Sequence, residues 1–190
     1  KGAESAAQVA AACDIIVTML PNSPHVKGLL LGENGIAKEC KPGTLIIDMT
    51  SGAPGDSRDI YAELKELDVH FIDAPVSGGD VGAKNGTLSI MVGGSDAAFE
   101  RLSPIFACLG TNVRRQGGPG AGQRTKTTNQ ILIAGNMIGV CEALLYAYRA
   151  GLDLDAVLAS VSSGAAGSWW LSNLAPRILQ GNFAPGFYVE

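Results

Sequence analysis

Hydrophobic positions along the chain fall into two textures. Over the first two thirds, short β-branched runs of strand length alternate with stretches of helical spacing. Residues 14–19, ending in Val17, Thr18 and Met19, form the first run and stop at Pro21. Residues 44–48 and 69–73 predict a second and third strand, and residues 87–92 a fourth that halts at Gly93 and Gly94. A last short strand is expected at 112–114. Helical spacing occupies 6–12, one or two helices over roughly 24–39, then 56–67 and, capped by Ser95, a stretch to about Leu109. Strands alternating with helices of this length predict βαβ units and a parallel sheet.

Past the glycine cluster at 117–122 the texture changes. Residues 123–150 hold no proline and are apolar nearly all round, which predicts one long buried helix with Gly151 as its C′ stop. At about 1.5 Å of rise per residue it spans roughly 40 Å. Asp153 opens another helix, and 168–180 a further one. The expected division is an α/β part at 1–118 and an all-helical part at 119–190. The most apolar stretch, 131–148, is broken by Asn136 and Glu142 and is expected to fall short of a membrane span. The first residues sit inside a helical pattern, and the sheet is short of its usual complement of strands. The chain therefore reads as a segment of a larger protein.

Composition narrows the class. Hydrophobic residues make 46% of the 190, and charged residues 17%, against about 25% in ordinary domains. That balance suits a packed core and disfavours disorder. The 25 glycines suit a fold with tight turns and close backbone approaches. A net charge of −4 with no basic run argues against a nucleic-acid partner. Cys13, Cys40, Cys108 and Cys141 form no C-x-x-C pair, and His25 and His70 are the only histidines, so no metal site is expected. Free thiols, together with Glu4 and Asp14 interrupting any secretory signal, predict a soluble cytoplasmic protein with no membrane partner.

Three successive strands end in unusual sequences: Met19-Leu20-Pro21-Asn22, Asp48-Met49-Thr50-Ser51 and Asp73-Ala74-Pro75-Val76-Ser77-Gly78-Gly79. Parallel strands bring their C-termini to one edge, and ligands occupy the crevice outside it. Ser77, Gly78 and Gly79 offer a hydroxyl and unhindered N–H groups to a carboxylate or phosphate. Residues 120–127 nearly match the phosphate-binding G-x-x-x-x-G-K-[ST] pattern, but Thr125 stands where its second glycine belongs. Alternatively Lys126 lies within the helix, sharing a face with Asn129 and Gln130 at about 100° per residue. There the helix dipole and desolvation both favour the neutral amine, which suits acid/base work. A hydrolase with Ser77 as nucleophile is disfavoured, because G-x-S-x-G needs glycine where Pro75 stands.

Taken together these segments resemble the β-hydroxyacid dehydrogenases, which include 3-hydroxyisobutyrate dehydrogenases and tartronate semialdehyde reductases and are akin to 6-phosphogluconate dehydrogenases. Residues 73–79 match the substrate-loop motif D-A-P-V-S-G-G letter for letter, and 120–130 are similar to the family's G-x-G-x-x-x-K-x-x-N-[NQ] helix. Residues 15–22, 47–51, 86–94 and 183–187 follow in the family's order. The resemblance implies an incomplete Rossmann-like domain followed by the start of an all-helical domain with a long central helix. It implies an oxidoreductase that interconverts a small β-hydroxyacid and its semialdehyde with NAD or NADP, and that associates as a dimer or tetramer. Lys126 would be the general acid/base. Ser77, Gly78 and Gly79 would hold the substrate carboxylate, with Asn129 and Gln130 orienting the substrate. Met19, Leu20, Pro21 and Thr50 would contact the cofactor. The family's G-x-G-x-x-G turn has no counterpart in these residues and is expected upstream, so the segment alone is expected to lack the pyrophosphate anchor. A non-catalytic module of the same fold is the alternative, with Lys126 arguing against it.

Overall fold

The computed structural model describes residues 2–184. It divides into two compact units, 1–127 and 128–190.

The first unit is a six-stranded sheet with helices on both faces. Its strands are β1 (Ile15–Thr18), β2 (Leu45–Asp48), β3 (His70–Asp73), β4 (Val76–Ser77), β5 (Leu88–Gly93) and β6 (Gly110–Gly117). The helices are α1 (Ala6–Ala12), α2 (Ser23–Leu31), α3 (Pro54–Lys65), α4 (Gly79–Asn85) and α5 (Asp96–Leu109), with a 3-10 turn at Ile36–Glu39. Side chains of Ser5, Asn22 and Ser95 accept from backbone N–H groups in the first turns of α1, α2 and α5. Such caps satisfy donors that the helix itself cannot.

Alternation along each strand sends successive side chains to opposite faces. Ile16, Ile46 and Phe71 pack with Val26, Leu30, Ile60 and Leu64 of α2 and α3. Leu45, Ile47, Ile72, Ile90 and Val92 pack with Leu102 and Phe106 of α5. All four residues of β2 are buried, as expected for a strand covered on both sides.

Strands β1, β2 and β3 are parallel and in order, as the alternation predicts. The rest of the sheet corrects the expectation of uniform direction. β5 runs antiparallel to β3 and β4, and β6, joined to β5 through α5, is parallel to β5. The cause is the connection. Between Ser77 and Leu88 the chain has room only for the seven-residue α4, and a parallel crossover needs a dozen or more residues. The chain therefore folds back as a hairpin holding a short helix.

The second unit contains most of α6 (Ala121–Arg149), with α7 (Leu154–Val161), α8 (Trp169–Asn173) and α9 (Ala175–Leu179). Leu174 and Pro176 break the single helix expected at 168–180: a proline ring cannot continue the ladder of the preceding turn. Val140 and Leu144 of α6 meet Leu158, Leu171 and Ala175 in a small core.

Helix α6 also corrects an expectation. Only a narrow stripe of it is buried, and Ile131, Leu132, Ile138, Leu145, Tyr146 and Tyr148 are all more than half exposed. An all-round apolar pattern predicts burial only where neighbours cover every face, and α7–α9 cover one. By length and composition α6 could also cross a membrane, with a mean hydropathy of 1.6 over its most apolar window. Asn136 and Glu142 do not lower it below that mark. Gly151, at φ 72°, follows the helix where a C′ stop is expected.

Candidate active site

Strands β1–β3 end side by side, and their last residues form one polar row. Thr18 pairs with Asp48, Asp48 with Asp73, and Asp73 with Gly93 of β5. The Thr18 hydroxyl donates to Asp48 Oδ1 at 2.8 Å, and the Thr50 N–H to the same oxygen at 3.2 Å. Burial pushes the Asp48 carboxyl above its ordinary pKa, with the Thr50 and Thr18 hydrogen bonds pulling the other way.

Asp73 is wholly buried and sits where α6 begins. The Gly120 N–H donates to its Oδ1 and the Gln123 N–H to its Oδ2, both at 2.8 Å. It thus caps α6 from a strand, filling the role that an N-cap side chain usually plays. Burial raises its pKa to about 6; these N–H bonds oppose the rise and the Asp48 charge adds to it. The packing here admits no side chain at Gly93: a Cβ would lie 2.8 Å from Asp73 Cγ and 2.7 Å from Gly122 N.

This arrangement decides against the phosphate-loop reading of 120–127. The N–H groups of Gly120 and Gln123 are already bound to the chain's own carboxylate, and those of Ala121 and Arg124 to the carbonyls of Gly118 and Gly120.

Gln123, also fully buried, extends the junction to the second strand. Its Nε2 donates to the Thr50 carbonyl at 2.7 Å, and its Oε1 accepts from Gly52 N–H at 2.9 Å. Thr50 Oγ1 in turn accepts from Leu20 N–H at 2.9 Å. The loops after β1 and β2 and the last residue of β3 are therefore joined to the start of α6 by hydrogen bonds.

Lys126 lies one turn beyond Gln123 on α6 and is half-buried; desolvation lowers its pKa below the usual 10.5. Asn129 and Gln130 follow on the same helix at the start of the second unit. Asn129 is half-buried and Gln130 exposed, with the Asn129 amide donating to Gln130 Oε1 at 3.4 Å. Ser77 is half-buried in β4, paired with Ser89. Gly78 and Gly79 are exposed, with φ of 133° and 63°. Met19 is 58% exposed and Pro21 is exposed, whereas Leu20 is half-buried. Thr50 is fully buried, its hydroxyl committed to Leu20.

The structure thus brings Leu20, Thr50 and the first turn of α6 together. His70, at the start of β3, lies at the end of that strand away from this row, and His25 is on α2. Among the described residues no group of three or more His, Cys, Asp or Glu side chains could hold a metal ion. Asp73 and Gln123, which organise the site, drew no role from sequence reasoning, although both stand inside the two strongest motifs. Of the family-like turn at 183–187, residues 185–187 lie outside the described residues.

Known proteins give this geometry its context. The family model for the NAD binding domain of 6-phosphogluconate dehydrogenase matches residues 1–118. That for the NAD-binding domain of NADP-dependent 3-hydroxyisobutyrate dehydrogenase matches 120–190. The uncharacterized oxidoreductase YkwC of Bacillus subtilis is 53% identical over 177 residues, which are 93% of this chain and 62% of that protein. The 2-hydroxy-3-oxopropionate reductase of Escherichia coli is 45% identical over 186 residues, 98% of this chain and 64% of that protein. The crystal structure of 3-hydroxyisobutyrate dehydrogenase from Salmonella typhimurium superposes with a TM-score of 0.84 at 34% identity, covering 96% of this chain and 64% of that one. The chain thus spans somewhat under two thirds of the length of these relatives. Both matching models are nicotinamide-dinucleotide domains, so the cofactor class is NAD or NADP. The chain belongs to the β-hydroxyacid dehydrogenase family of NAD(P)-dependent oxidoreductases.

Proposed function

We propose that the whole protein interconverts a small β-hydroxyacid and its semialdehyde, with Lys126 as the general acid/base. One observation carries this reading. The start of α6 is fastened to the ends of β2 and β3, which sets a half-buried lysine of lowered pKa about 4.5 Å further along the helix axis than Gln123. Burial favours the neutral amine, the form that can accept a proton.

In the oxidation direction the Lys126 amine takes the proton from the substrate hydroxyl at Nζ. In the reduction direction its ammonium returns a proton to the carbonyl oxygen. Ser77, Gly78 and Gly79 hold the substrate carboxylate, and Asn129 and Gln130 orient the substrate through their amides. A bound nicotinamide dinucleotide supplies the hydride acceptor or donor. Met19, Leu20 and Pro21 fit that group: they form a partly exposed apolar shelf at the end of β1, suited to a ring face. Thr50, with its hydroxyl turned inward, contributes by fixing Leu20 in that shelf.

The cofactor part is assigned to 1–118 and the helical part to 119–190. The exposed apolar faces of α6 are covered by protein in a homo-oligomer, and four unpaired cysteines suit the reducing cytoplasm.

The test is Lys126→Ala in the complete enzyme, assayed with 2-hydroxy-3-oxopropionate, the compound named for the Escherichia coli relative, and both NADH and NADPH. Turnover falls by about 10² to 10⁴-fold, while the cofactor is still bound, as followed by its fluorescence. Near-normal kcat in the variant removes Lys126 from the mechanism.

A further inference from the structure

Gln123 buries a primary amide completely, and both ends of it are spent on distant backbone. Its amide partners, the Gly52 N–H and the Thr50 carbonyl, are 71 and 73 residues away in the chain, while its own backbone N–H goes to the Asp73 carboxylate, 50 residues away. An apolar side chain of the same length would fill the space without the desolvation that an amide suffers. Filling space is therefore not what an amide does best here. What it adds is direction: a donor and an acceptor at the two ends of one planar group fix the loop after β2 against α6 in a single register. Through Thr50 Oγ1 that register reaches Leu20. Asp73 supplies the second fastening, on Gly120 and Gln123.

We infer that Gln123 is a positioning residue for the reaction: it clasps the strand-end loops at Leu20 and Thr50–Gly52 to the helix turn that carries Lys126. The inference rests on the reading of Lys126 as acid/base. Gln123 touches neither reacting atom, and acts by keeping the amine and the shelf at the end of β1 in one relative placement. Proton transfer tolerates little error in such a placement, since a displacement of about 1 Å can cost on the order of 10²-fold in rate.

The test is a double-mutant cycle in the complete enzyme, with single-turnover reduction of 2-hydroxy-3-oxopropionate as the readout. Gln123→Met keeps the side-chain length and removes both hydrogen bonds. On its own it slows the step by about 10²-fold. In the Lys126→Ala background it slows the step by less than about threefold, because coupled residues are not additive. Gln123→Glu, which keeps an acceptor for Gly52 and loses the donor to Thr50, runs through the same cycle should the methionine variant fail to fold. An equal loss in both backgrounds means a general structural role and overturns the inference. So does an unchanged rate for Gln123→Met beside a crippled Lys126→Ala, which leaves the Lys126 reading standing. An unimpaired Lys126→Ala overturns the Lys126 reading, and the clasp with it.

Discussion

Gly122→Ala tests the junction between α6 and the strand ends directly. A Cβ at this position would lie 2.6 Å from the Asp73 carbonyl oxygen and 2.9 Å from Asp73 Oδ2, and closer still to the Met91 carbonyl oxygen. Both carbonyls belong to strand backbone, so no side chain can swing away. Reaching ordinary contact, which begins at 3.4 Å, requires the helix start to retreat by roughly 1 Å, enough to take the two 2.8 Å bonds to Asp73 out of hydrogen-bond range. Bonds to a charged group contribute about 1.5–3 kcal/mol each, so the expected loss of the two is about 3–6 kcal/mol. That is a large share of the roughly 5–15 kcal/mol by which a domain is ordinarily stable. Gly28→Ala supplies the control. Gly28 lies in α2, is exposed, and has nothing within 4 Å of the position a methyl group would take, so the same substitution gains about 0.5–1 kcal/mol by relieving the entropy of a helical glycine. Urea unfolding of the two variants beside the wild type measures both numbers. A Gly122→Ala variant within about 1 kcal/mol of the wild type, or two variants that move stability the same way, would mean that the junction has room for a methyl group.

Further outcomes follow from the same site. The apparent pKa of Lys126 governs both directions: kcat for oxidation rises with pH through it and kcat for reduction falls, at a common value below 10.5. Two unrelated limbs would separate Lys126 from the proton transfer. Raising the Asp73 pKa from 3.8 to about 6 means the folded state holds this proton more tightly than the unfolded chain does. Its contribution is therefore complete below about pH 4 and is lost as pH rises from about 4 to 6, by up to about 3 kcal/mol. Asp73→Asn flattens that part of the stability profile, and an unchanged slope would place the titration elsewhere. An amide of the substrate acid loses kcat/KM sharply, because the loop at Ser77–Gly79 then meets a neutral group; equal values for acid and amide would remove the loop from carboxylate binding.

Much of the fold was legible because local pattern and tertiary role agree. The β-branched runs at 15–18, 45–48 and 70–73 carry the apolar side chains of both core clusters, and their spacing leaves room for crossover helices, so parallel order follows. Direction failed to carry past Asp73 because it depends on how much chain the next connection holds, and seven residues of α4 cannot make a crossover. Burial of α6 was misjudged for a related reason. Periodicity reports which faces are apolar, and says nothing of what is present to cover them. At the site, Lys126 could be singled out because a charge in an apolar helix conflicts with its surroundings. Asp73 and Gln123 gave no such conflict: a carboxylate closing a strand and an amide early in a helix are both ordinary on a surface. Only the folded chain shows them buried and bonded to each other.

The polar row at the strand ends therefore has a different physical task from the side chains that face the crevice. Thr18, Asp48, Asp73 and Gln123 lie beneath the loops, all buried, and direct their hydrogen bonds into the protein. Each would be costly if left unpaired, and each loses that cost only in one arrangement of β1, β2, β3 and α6. Apolar packing tolerates a slide of a fraction of an ångström between helix and sheet, whereas a bidentate carboxylate and a two-ended amide do not. Stability alone would be served as well by leucine or methionine in these places. A set of directional contacts is what an acid/base lysine requires, because its proton must move along a defined line. The row thus holds the start of α6 in register with the ends of β2 and β3, the placement on which the acid/base role proposed for Lys126 depends.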